Sequence, residues 1–159
     1  MEFKFFYFSI ASVILIFAVC IYFKPLRLSH VIIGMASVAY SILFDIILGQ
    51  QFGLYYYISS QYSILCIVIS GVFIYPLLNV IYTLFLPENR KTVFIYTGFW
   101  IAAMLLFEYL SLLFKTIVLT GWRVVPWSFV AYGVTYTWIF FFYRYVTART
   151  KRQGMITNR

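Results

Sequence analysis

Five apolar segments, each close to twenty residues long and separated by short polar connections, dominate this chain. They run from about Phe5 to Phe23, His30 to Leu48, Ser63 to Leu86, Val93 to Phe114 and Trp127 to Val146. A helix of about 20 residues, rising about 1.5 Å per residue, crosses the roughly 30 Å hydrocarbon core of a bilayer. No segment alternates with the period of two that marks a barrel strand. Backbone in lipid must satisfy its own hydrogen bonds, so the sequence predicts an all-α integral membrane bundle of five transmembrane helices. Composition agrees: 64% of the 159 residues are hydrophobic and only 10% are charged, whereas a soluble domain carries about a quarter. Residues 1–146 read as one transmembrane domain and residues 147–159 as a basic, frayed tail, with no linker, second domain or internal repeat.

The connections fix an orientation. "KPLR" closes the first segment with interfacial cations and a helix-stopping proline, and "PENRK" closes the third. Pro76 lies inside the third segment, where neighbouring helices can satisfy the carbonyl it frees. With the N-terminus outside, the inner face holds nine cations: Lys24, Arg27, Arg90, Lys91, Arg144, Arg149, Lys151, Arg152 and Arg159. The outer face holds three, Lys4, Lys115 and Arg123. This positive-inside bias predicts N-out and C-in, in a bacterial plasma membrane. It also accounts for the net charge of +8 as topology and attraction to anionic lipid, not as a nucleic-acid arm.

"FAVC", ending at Cys20, superficially resembles a lipoprotein cleavage box, but Val19 is a poor residue at that place and the apolar stretch is too long for a signal peptide. The first segment reads as a retained span. Cys20 and Cys66 fall near opposite faces, so neither a disulfide nor a metal pair is implied.

Helical spacing marks inward faces. Gly34, Ser37, Ser41, Asp45 and Gly49 make a small and polar stripe on the second span. Such stripes let helix backbones approach closely in lipid. The third span offers Tyr75, Asn79 and Thr83, and the fifth Ser128, Tyr132, Thr135 and Tyr136. The first has little beyond Ser9 and Ser12, which predicts a peripheral helix and a core of spans two to five.

Two acids lie in apolar runs, and depth places both in the outer half. Asp45 ends the second span; Glu108 shares a helical face with Ser111 and Lys115, and Arg123 follows in the next connection. An ionised acid in hydrocarbon costs several kcal/mol, so each should find a partner, meet water or stay protonated. The residues Asp45, Glu108, Ser111, Lys115 and Arg123 form a candidate intramembrane polar cluster, read first as a charge clamp between Glu108 and Lys115 or Arg123. The functional alternative is an ion, proton or catalytic site.

The outer connections are aromatic. Tyr55, Tyr56, Tyr57, Trp122 and Trp127 suit an interfacial belt, or the floor of a pocket beneath the acids. Ser41 and Asn79 read as interhelical polar contacts, worth about 0.6–2 kcal/mol each. His30 has no second histidine, so haem or zinc ligation is not expected, and no cofactor or metal is assigned. The sequence contains no phosphate-binding glycine loop, Ser/His/Asp set, CxxC pair or histidine box.

The run "FIYPLLNVIYTLFLPENRK", followed by "FEYLSLLFKTIVLTGWRVVPWSF", resembles a family of small multipass membrane proteins of spore-forming Firmicutes. The matching positions are Tyr75, Pro76, Asn79, Pro87, Glu108, Lys115, Trp122 and Trp127, within roughly residues 45–145. The resemblance implies the fold and a membrane location, and no activity.

The leading expectation is a non-enzymatic membrane component that packs with itself, lipid or a partner membrane protein. The alternatives are a small carrier or ion-coupled transporter using Glu108 and Asp45, and an acid-catalysed enzyme on a lipid or isoprenoid. From the cation count, a reporter fused after Arg159 should report a cytoplasmic location, and a thiol label at a cysteine replacing Gln51 should react from outside. An externally reactive C-terminus would invert the orientation.

Overall fold

A computed structural model describes residues 2–59 and 61–157, with no account of the side chains of Glu2, Arg90 and residues 153–157. Arg159, one of the cations counted above, lies outside the described residues. Among the described residues five helical segments are long and apolar enough to cross a membrane. The chain is an all-α, multi-pass membrane bundle carrying one two-stranded ribbon.

The first span is α1 (Glu2–Phe23) and the second α2 (Leu28–Asp45), extended by a π turn at Ile46–Gln51. The strand β1 (Tyr55–Tyr57) precedes the third span. That span is α3 (Ser63–Ile69), a π turn at Ser70–Ile74 and α4 (Tyr75–Leu84). The fourth is α5 (Arg90–Leu113), entered through Asn89, whose side chain caps the Lys91 amide. After β2 (Ile117–Leu119) and a kinked segment at Val124–Ser128, with extended backbone at Val125, α6 (Phe129–Thr157) completes the bundle.

Two boundaries differ from the sequence reading for identifiable reasons. Pro76 has no N–H to give the preceding turn, and the chain adapts with a wider turn, in which the Tyr75 amide bonds the Ser70 carbonyl five residues back. The basic tail is not frayed up to Thr157, because α6 continues through it. Alanine, arginine, lysine and threonine follow Val146 without a proline. The Arg144 and Arg149 guanidinium groups lie over the Phe140 and Tyr145 rings one turn back.

The middle of the bundle is α2 packed on α4 with α6 alongside. Ile33, Tyr82, Met104, Tyr136 and Ile139 form a shared core there. The first span lies at the edge, with most of its surface exposed, yet it is not only lipid-facing. Phe6, Ser9 and Val13 make one buried line on it, and Phe6 and Val13 join a second core with Cys66, Ile67 and Ile74. An apolar cavity of about 290 Å³ lies between α1, α4 and α5.

Helices α2 and the Ser70–Ile74 turn approach closely at Gly71, whose carbonyl accepts from Ser41 Oγ at 3.2 Å. A Cβ at Gly71 would stand 2.4 Å from Ile42 Cγ1, whereas one at Gly98 would meet nothing within 4 Å. Gly71→Ala should therefore destabilise the bundle by about 1–3 kcal/mol through overpacking. Gly98→Ala should leave stability unchanged or raise it slightly. Thermal unfolding in detergent compares the two, and equal melting temperatures would contradict the close approach.

Candidate functional site

The site begins where α2 ends. Its π turn brings Gly49 against the carbonyl of Tyr55, at a distance where a Cβ would be only 3.2 Å away. The chain thereby folds back, and the β1 tyrosines reach Asp45: Tyr55 Oη donates to Oδ1 at 2.6 Å and Tyr57 Oη to Oδ2 at 3.1 Å. Tyr57 Oη also lies 2.9 Å from Tyr75 Oη on α4. Burial, reinforced by the Asp45 charge, pushes the Tyr55 and Tyr57 hydroxyls well above the ordinary tyrosine range, which keeps both protonated as donors.

The ribbon carries this arrangement across to the other acid. β1 and β2 pair antiparallel, with Tyr55 opposite Leu119 and Tyr57 opposite Ile117. The Leu54 carbonyl accepts from the amides of Thr120, Gly121 and Trp122 at 2.9–3.0 Å. Ile58 and Lys115, at the same end of the ribbon, both take positive φ, +56° and +55°, a strained state for a β-branched residue. Trp122 then stands edge-on to the Tyr55 ring and donates through Nε1 to Ser128 Oγ at 2.8 Å. Ser128 Oγ donates in turn to Glu108 Oε1 at 2.7 Å. Tyr132 lines the same cavity as Glu108.

Both carboxylates, each 7% exposed, line one cavity of about 110 Å³ roofed by the ribbon. Around them stand Tyr40, Tyr75, Tyr132 and Tyr136, with Ser41, Thr135 and Asn79 among the polar positions. Breaks in regular helix adjoin this cavity in three spans: π turns follow Asp45 and precede Tyr75, and a kink with extended backbone at Val125 leads into Ser128. Such turns recur at functional sites because they displace side chains from regular helical register.

Several sequence expectations are corrected here. The clamp does not form: Lys115 and Arg123 are exposed, and among the described residues neither makes an ion pair with Glu108. Helix α5 stops at Leu113 and Lys115 turns into left-handed backbone, so the spacing that put Glu108, Ser111 and Lys115 on one face ends before the cation. Ser111 is buried but donates to the Phe107 carbonyl of its own helix at 2.9 Å. Tyr55, Tyr57 and Trp122 line the cavity. Tyr56 alternates away along the strand and is not among the lining residues, and Trp127 is 54% exposed. Asn79 makes no interhelical hydrogen bond to any described residue and lines the cavity instead.

The residue missed as a partner of the acids is Ser128, although it stands in the polar stripe of the fifth span. Tyr40 carried no signal of its own, lying beside the small stripe of the second span; its hydroxyl is 3.2 Å from Thr135 Oγ1. No family model, curated protein or solved structure matches the chain. Function therefore has to come from the chemistry of these side chains: a multi-pass membrane protein with a two-acid, tyrosine-lined cavity.

A double-mutant cycle tests who holds Glu108. Glu108→Gln and Ser128→Ala should be coupled by about 0.5–3 kcal/mol in unfolding stability. Glu108→Gln combined with Lys115→Met or Arg123→Met should be additive within about 0.5 kcal/mol. Coupling to either cation with none to Ser128 would restore the clamp.

Proposed function

We propose that this protein is a small carrier of a bacterial plasma membrane, oriented N-out and C-in, and that the cavity under the ribbon is its substrate site. One observation carries the reading: two carboxylates from separate spans line the same cavity, and their hydrogen-bond donors are hydroxyls, with no cation neutralising either. A purely structural acid in a bilayer is expected to be paired or replaced by an apolar residue, because an unpaired charge there costs several kcal/mol. Acids kept on a cavity instead suit a site completed by an arriving ligand or proton.

The surrounding backbone supports the same reading. Broken or widened helices at a central site are a recurring device of carriers, and here the third span is interrupted at Ser70–Ile74 directly before Tyr75. The ribbon covers the cavity from the end at which the N-terminus of α1 lies, where Phe3 meets Tyr62. With the cation bias of the connections, that end faces outside. Release of the Tyr55 and Tyr57 hydroxyls from Asp45 opens the cavity outward in this scheme. Movement of the interrupted third span opens it inward.

A carrier site must be reached from both faces in turn. A single cysteine replacing Ala131, which lines the cavity, is introduced after Cys20 and Cys66 are changed to serine. It should react with a charged, membrane-impermeant thiol reagent both in intact cells and in inverted vesicles. Reaction from one face only would make the protein a binding component, and reaction from neither a packed structural one; both results reject the carrier.

A further inference from the structure

The charge and donor inventory of the cavity narrows what it can take, an inference that rests on the carrier reading above. A carboxylate offers about four lone-pair sites. Asp45 uses two of them, on Tyr55 and Tyr57, and Glu108 accepts from Ser128. Asn79, 6% exposed, presents an amide to the same space without a hydrogen bond to any described residue. Its carbonyl and N–H groups are thus open to a ligand.

No lysine, arginine or histidine among the described residues lines the cavity, so an anionic ligand would meet two carboxyl groups and no counter-ion there. Among the described residues no group of three His, Cys, Asp or Glu side chains is placed to hold a metal ion. The walls are aromatic and apolar, with Tyr75, Met104, Trp122, Tyr132 and Tyr136 among them. Aromatic faces attract organic cations, by about 2 kcal/mol or more once water is excluded. The volume of about 110 Å³ is smaller than the roughly 150 Å³ of an engineered cavity that accommodates benzene, so the ligand's apolar body is smaller than an aromatic ring.

We infer that the cavity selects a small protonated aliphatic amine, with an apolar body smaller than one aromatic ring. Its ammonium group sits between Asp45 and Glu108 and donates N–H bonds to their free lone pairs and to the Asn79 carbonyl. Its body lies against the rings of Tyr132 and Tyr136. Acid, amide and ring thus each have a task that the closed bundle leaves unused.

The test uses the full chain in lipid nanodiscs and three probes of one shape: isobutylammonium chloride, isobutanol and sodium isobutyrate, titrated calorimetrically at neutral pH against empty nanodiscs. Isobutylammonium should bind saturably and at least tenfold more tightly than the alcohol, with no binding of isobutyrate. Glu108→Gln should reduce that preference by tenfold or more, and Asn79→Ala should weaken the amine without changing thermal stability. Equal binding of amine and alcohol would overturn the cation class while leaving a ligand site in place. Absence of binding by all three also overturns it; the carrier reading then stands or falls separately, on labelling at position 131 from both faces.

Discussion

The carboxylate of Asp45 is the contact on which the rest of the site depends. Burying it costs several kcal/mol unless donors replace water, and hydrogen bonds to a charged group return about 1.5–3 kcal/mol each. The donors come from Tyr55 and Tyr57, so the acid dictates where β1 lies. β1 in turn holds β2, and with it the connection that places Trp122 on Ser128 and Ser128 on Glu108. A continuous set of polar contacts therefore runs from the acid of the second span to the acid of the fourth, through two loops that are far apart in sequence.

Much of the bundle is legible in the sequence because lipid imposes one dominant rule. A run of about 20 apolar residues must close its own hydrogen bonds, and the five segments do so as helices within a few residues of where hydropathy puts them. Asp45 and Glu108 are visible for the same reason, as carboxylates where almost none is tolerated. What spacing could not convey is where a helix stops. The charge pair expected from Glu108 and Lys115 assumes two more residues of regular helix, and the chain leaves α5 at Leu113. Asn79 is misread for a different reason: an amide in a span predicts a partner, and only the three-dimensional packing of α4, α5 and α6 opens a cavity in front of it.

The π turns belong to the same class of hidden information. The one at Ser70–Ile74 lies within the third span and displaces the side chains that follow, so Tyr75 reaches the cavity from the edge of a widened turn. Ser128 reaches it from a different break, where Val125 takes extended backbone just before α6. Periodic reading of the third and fifth spans finds their polar stripes, but neither break.

The ribbon roofing the cavity has only three residues in each strand, below what holds together alone in water. Its persistence is borrowed from Asp45 beneath it, and its two left-handed residues, Ile58 and Lys115, store strain at the end where the loops join the helices. Opening so short a ribbon breaks only its own ladder and the tyrosine contacts to Asp45, and leaves the backbone hydrogen bonds within the spans in place.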